Sequence, residues 1–373
     1  MAEPIGLYLH IPFCVRKCPY CDFYSLPATE EAMEAYTDTL IRRLRREGPR
    51  FPAADTLYLG GGTPSLLGAS RIHRLVTAAR ESFGLENAEI TLEANPAEHL
   101  EDIFRAFHEA GGNRISLGMQ AADDDTLRRL GRRHTVRDTA AAVEAAHGAG
   151  IDNLSLDILL ATEGQTSADV RRAVQTAHAL GATHLSAYLL KLEEGTPFGR
   201  TPPPLPDEDA AAALYLTACE EAEAAGYAQY EISNWAMPGR ASRHNLKYWN
   251  SEPYLGLGPS AHSFYGGRRL YFPRQLAAFD DRCPPLPEAP EGDALLPENS
   301  EAEYAMLRLR LCEGLRADAF AARFGHPIPA AWMTAARQIP PHLLQADAAG
   351  IRLTREGFLV SDAILTRILL QDP

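Results

Sequence analysis

Short apolar runs alternate with stretches of helical periodicity from the start of the chain to about Tyr188. The runs at 6–11, 56–60, 89–93, 114–118, 154–159 and 184–188 are bounded by glycine, proline or polar residues, as buried strands are. Between them, 30–46, 70–82, 100–109, 136–148 and 168–180 repeat their apolar positions at helical spacing. Such alternation builds parallel strands joined by crossover helices. Six strands fit an open, partial (β/α)6 barrel, and they also fit a doubly wound sheet. The barrel is favoured by where the unusual residues fall. A cysteine cluster follows the first strand, and a glycine run, 60–64, follows the second. Glu93 ends the third, Gln120 follows the fourth and Asp157 lies near the end of the fifth. In α/β barrels chemistry gathers at these C-terminal strand ends.

The pattern then changes. Prolines at 202–206 precede a helix predicted over 207–225, and 227–271 is aromatic and glycine-rich. Residues 1–272 are therefore read as the core, and 273–297, rich in proline and acid from Cys283 on, as a linker. Residues 298–373 are read as a small second domain, helical and winged-helix-like, with a hairpin over 344–359.

Composition narrows the picture. With 46% hydrophobic residues a sizeable core can form, and no apolar run is long enough to span a bilayer. The first residues lack the basic, apolar, small-residue order of a signal peptide, so a cytoplasmic location is the expectation. A net charge of −13 disfavours a nucleic-acid partner, which needs a basic field. Of six cysteines, Cys219, Cys283 and Cys312 are scattered, with no partner spacing. A disulfide framework is not expected in a reducing compartment.

The other three cysteines lie close together, in Cys14-Val15-Arg16-Lys17-Cys18-Pro19-Tyr20-Cys21. Three thiolates so spaced can hold a [4Fe–4S] cluster and leave one iron without a protein ligand. An open iron can take the amine and carboxylate of S-adenosylmethionine as a chelate, and an electron from the cluster can then break the sulfonium bond. Zinc is the weaker reading. It usually takes four ligands in paired units, and only His10 offers itself as a fourth.

The string Y-L-H-I-P-F-C-x-x-x-C-x-Y-C resembles the signature of radical S-adenosylmethionine proteins, in their coproporphyrinogen dehydrogenase-like branch. The likeness continues through G-G-G-T-P, E-A-N-P, N-R-I-S-L-G-M-Q, E-I-S-N-W, H-N-L-K-Y-W and Y-L-G-L-G-P-S-A-H-S. It implies that Gly61, Gly62 and Thr63 border the methionine end of the cofactor, with Tyr8 and Tyr20 near the cluster. Glu93 would accept from the cofactor's ammonium, Arg132 would face its carboxylate, Asp157 would take the ribose hydroxyls, and Gln120 would join them. One departure stands out. The family's L-P-G-Q-T turn reads Ala161-Thr162-Glu163-Gly164-Gln165-Thr166 here, without the proline.

The same resemblance bears on function. The porphyrinogen-oxidising enzymes carry a further cysteine two places after the third cluster ligand, where this chain has Phe23. Their extended N-terminal segment also has no counterpart before the first strand. Both points favour the heme-chaperone branch: heme as cargo, and acceptor hemoproteins, membrane ones included, as partners. His244, Asn245, Tyr248 and Trp249 of H-N-L-K-Y-W are then the candidate heme residues, with Lys247 for a propionate. Without the family, that segment reads as an aromatic core edge with a satisfied histidine. His262 is a second candidate ligand. The other readings are oxygen-independent coproporphyrinogen III oxidation and radical chemistry on an unrelated substrate. Reductive cleavage of S-adenosylmethionine is expected in any case.

Overall fold

The computed structural model describes residues 3–27, 29–96, 99–280, 291–294 and 297–370. Six parallel strands carry the first half: β1 (Ile5–Ile11), β2 (Ala54–Gly61), β3 (Glu89–Ala94), β4 (Arg114–Gln120), β5 (Leu154–Leu160) and β6 (His184–Leu189). Apart from Tyr188 and Leu189 at the end of β6, their apolar residues are largely buried on both sides, as strands enclosed by crossover helices require. They lie side by side in the order of the chain, from β1 to β6. A doubly wound sheet reverses its order at a switch point. No reversal occurs between these six strands, so the fold is the partial (β/α)6 barrel.

The crossovers are α1 (Glu30–Glu47), α2 (Gly68–Phe83), α3 (Leu100–Glu109), a short α4 (Asp124–Arg129), α5 (Val136–Gly148) and α6 (Ser167–Ala179). Capping boxes start α5 and α6, from Thr135 with Asp138 and from Thr166 with Asp169. The turn before α6 closes without the family's proline. Ala161 takes a left-handed φ of 57°, and the Gln165 side chain donates to the Leu159 carbonyl at 2.9 Å.

The aromatic region extends the sheet at both edges. Asn234–Ala236 runs antiparallel beside β6, and Tyr254–Leu257 runs parallel beside β1. Beyond the latter, His262–Tyr265, Arg268–Tyr271 and Glu291–Ala294 add antiparallel strands. The last of these falls inside the segment read as a linker. Most of the remainder of 283–297, Cys283 included, lies outside the described residues.

The chain ends in a helix, Pro297–Arg308, and a small sheet with helices about it. The hairpin Leu344–Asp347 and Gly350–Leu353 is its wing. The wing is shorter than the expected 344–359, because Thr354 accepts from the Gly357 amide at 3.1 Å and starts a helical turn, Arg355–Leu359. No helix among the described residues is long and apolar enough to cross a membrane.

Candidate metal and cofactor site

The cysteine loop leaves β1 and is fastened at its base to the end of β2. The amides of Gly62 and Thr63 donate to the carbonyls of Ile11 and Phe13 at 2.8 and 2.7 Å. A Cβ on Gly62 would lie 2.5 Å from the Phe13 oxygen, so the glycine at this position lets two backbones meet. Phe13–Cys14 pairs with Leu26–Pro27, and the Cys21 amide closes a turn on the Cys18 carbonyl at 3.1 Å. Cys14, Cys18 and Cys21 are free and half-buried, while Val15 to Lys17 point outward.

Polar groups face the sulfurs. Arg132 donates to Cys18 Sγ at 3.5 Å and to Tyr20 Oη at 3.5 Å. The Thr63 hydroxyl accepts from Asn95 at 3.0 Å, which frees its own proton for Cys14 Sγ, 3.5 Å away. A guanidinium thus faces Cys18 and a hydroxyl faces Cys14. Among the described residues no three His, Cys, Asp or Glu side chains converge on one ion. A cluster takes each thiolate on a different iron. The donor set fits a cluster.

A cavity of about 480 Å³ adjoins the loop, lined by Cys18, Thr63, Asn95, Arg132 and His134 among others. The second Arg132 nitrogen is spent on Asn95 Oδ1 at 2.5 Å and the Gly118 carbonyl at 2.8 Å. Both terminal nitrogens of the guanidinium therefore have partners within the fold. Gln120 ends β4 at a left-handed φ of 67°. A Cβ on Gly118 would touch Gln120, Arg132 and Asn95 together, so these three crowd one spot. On the same wall His134 Nε2 donates to the Met119 carbonyl at 3.2 Å, and burial first, then Arg132, lowers its pKa to about 4. Asn95 and His134 were not singled out in the sequence, although Asn95 lies in the quoted E-A-N-P.

Glu93 accepts from Tyr58 at 2.9 Å and from the Gly61 amide at 3.0 Å, and burial raises its pKa. Asp157 stands in the middle of β5, not at its end, and accepts from Ser116 at 3.4 Å. Burial, then the charge of Glu93, pushes its carboxyl up to about 7. Tyr8 bonds His10 Nδ1 at 3.0 Å and lines a second cavity rather than this one.

The segment His244 to Trp249 forms a short helix, Arg243–Trp249. Ser242 caps the Asn245 amide at 3.3 Å, and the Glu89 carboxylate accepts from the His244 amide at 3.0 Å. His244 has 0% exposure. Its Nδ1 meets Thr56 Oγ1 at 2.8 Å and its Nε2 meets Tyr248 Oη at 2.7 Å. Neither nitrogen is open to iron in this arrangement. Lys247, expected to meet a propionate, is buried in ion pairs with Asp55 at 3.0 Å and Glu252 at 3.2 Å. Tyr248 and Trp249 are half-buried, and Tyr248 reaches the second cavity.

Comparison with known proteins bears on what this arrangement serves. Residues 8–177 match the Radical SAM superfamily and 297–360 match the HemN C-terminal domain. A heme chaperone HemW of Lactococcus lactis subsp. lactis is 32% identical, covering 100% of this chain and 99% of its own. One from Escherichia coli is 39% identical over 72% of each, and one from Mycobacterium tuberculosis is 33% identical over 98% and 95%. Among solved structures, coproporphyrinogen III oxidase (HemN) from Escherichia coli superposes with a TM-score of 0.84 over 98% of this chain and 90% of that one, at 21% identity. That last likeness is one of fold.

Proposed function

The chain belongs to the heme chaperone HemW family, with a radical SAM domain, and on that premise we propose that it binds heme and delivers it to acceptor hemoproteins. The match to HemW relatives over the whole chain carries this reading. Phe23, where the oxidising enzymes have a further cysteine, supports it. Cys14, Cys18 and Cys21 hold the [4Fe–4S] cluster. When bound, the cluster supplies the electron that cleaves the sulfonium bond of S-adenosylmethionine. The chain's own residues bind and orient that cofactor. Thr63, Glu93, Gln120 and Arg132 present polar groups around the cysteine loop, Gly61 and Gly62 fix the loop's base, Tyr20 backs Arg132, and Asp157 lies deeper in the barrel. Tyr248 and Trp249 offer faces to heme, with His244 and Asn245 holding their helix. Free thiols of this kind suit the reducing cytoplasm, where acceptors at the membrane are met from the water side.

Anaerobic reconstitution with iron and sulfide tests the scaffold. A broad charge-transfer band and a paramagnetic signal on reduction are expected, lost in Cys14→Ala, Cys18→Ala and Cys21→Ala and kept in Cys219→Ala. Transfer of bound heme to an apo-hemoprotein tests the function. Conversion of coproporphyrinogen III to protoporphyrinogen IX above a cluster-free control would restore the enzyme reading.

A further inference from the structure

The second cavity, about 410 Å³, is lined from two sides. Asp22, Phe23 and Tyr24, just after the third cluster cysteine, form one side, and His262 and Arg274 from the added sheet region stand on the other. His262 is exposed, and its ring nitrogens have no hydrogen-bond or ion-pair partner among the described residues. Its ring stacks on Tyr271 with centroids 5.4 Å apart and planes at 26°, which fixes its orientation. Phe23 is 68% exposed and Tyr271 38% exposed, so two large aromatic side chains stand in water near one free imidazole. Arg274 holds the Asp22 carbonyl at 2.6 Å and faces its carboxylate at 3.4 Å, which leaves other donors of the guanidinium at the rim.

These groups match the parts of one molecule. An imidazole nitrogen is a common axial ligand of heme iron. Flat aromatic faces pack against a macrocycle, and a guanidinium pairs with a carboxylate such as a propionate. We propose that this cavity is the heme seat, with His262 as the axial ligand, Phe23 against the macrocycle and Arg274 on a propionate. The proposal rests on the heme-carrier reading and deepens it. Partial burial and Arg269 lower the His262 pKa, which keeps its lone pair available at neutral pH. His244, by contrast, has both nitrogens engaged. The motif segment still takes part, because Tyr248 lines the same cavity. The volume is at the small end of ligand pockets, which run to about 1,000 Å³. One edge of the macrocycle therefore stays in solvent, where an acceptor can reach it. Phe23 gains a role too: it puts an apolar face at the mouth of the seat.

An anaerobic hemin titration of the reconstituted full chain, followed by absorbance, decides this. Wild type should give a histidine-ligated Soret band. His262→Ala should move that band and weaken binding at least tenfold, with the cluster band unchanged, and added imidazole should restore the band position. Phe23→Ala should weaken binding without moving the band. If wild type binds heme and His262→Ala keeps its spectrum and affinity, the seat is elsewhere and the carrier reading stands. A band that moves in His244→Gln and not in His262→Ala overturns the proposal in the same way. If wild type takes up no heme, the carrier reading itself falls.

Discussion

Asp157 shows how much one buried carboxyl can do to this fold. Its pKa of about 7, raised by burial and then by Glu93, lies well above the ordinary aspartate value. The folded state therefore keeps a proton that the unfolded chain releases. Stability is greatest below about pH 4 as far as this group is concerned, falls as pH rises through 7, and stays low above it. Asp157→Asn removes the penalty. It should raise the unfolding free energy of the apo protein by on the order of 2 kcal/mol at pH 8, and by much less at pH 5. Chemical denaturation at the two pH values measures this, and an equal gain at both would refute the charge argument. At this scale the sequence tells some residues well and others poorly. Cys14, Cys18 and Cys21 are legible because their spacing lies within one loop. Asn95 is not, because its role comes from Thr63 and Arg132, which meet it only in the folded chain. His244 is a mixed case: its motif is readable, but its contact with Thr56 is 188 residues away along the chain.

Elements were easier to read than side-chain partners. β1 to β6 follow from apolar runs that burial on both faces demands, and most of their ends fall within a residue or two of the expected bounds. The region 227–271 was harder. Its strands have about four residues each and are separated by turns such as Gly266–Gly267, so no period is long enough to see. The strand Glu291–Ala294 is hidden in the sequence because its proline-rich neighbours read as a linker. The junction of β2 with the cysteine loop can be tested directly. Gly62→Ala would put a Cβ 2.5 Å from the Phe13 oxygen and 2.9 Å from that of Ile11, and neither backbone can yield without moving the loop. The variant should therefore take up less cluster on reconstitution while the far-ultraviolet circular dichroism stays close to wild type. Gly148→Ala is the control. It lies at the end of α5, a Cβ there meets nothing within 4 Å, and it should keep full cluster content and gain up to about 1 kcal/mol of stability. Full cluster content in Gly62→Ala would mean that the loop adjusts freely.

At the scale of the whole molecule, the barrel and the C-terminal region are joined by backbone as well as by side chains. Glu231 forms a β-bridge with Leu311, the Ile232 amide donates to the Arg310 carbonyl at 2.9 Å, and the Cys312 amide donates to the Tyr230 carbonyl at 3.0 Å. Arg308, only 6% exposed, bonds Asn250 at the end of the motif helix and Glu313 at 2.9 Å. Arg323 reaches the Ser251 carbonyl at 3.1 Å. One apolar cluster runs from Leu7 in β1 through Leu309 to Phe320 and Trp332. Regions joined only by a tether unfold separately, whereas a shared core couples them. Calorimetry of the apo chain should therefore give one transition, with calorimetric and van't Hoff enthalpies in agreement. Arg308→Ala removes the donor to Asn250 Oδ1 and one of the two cationic partners of Glu313, at a cost of about 1 kcal/mol. Because the damage falls at the junction, that variant should lower the single transition as a whole. A low-temperature shoulder from the C-terminal region, present in wild type or created by Arg308→Ala while the main peak holds its place, would show that the two regions fold as separate units.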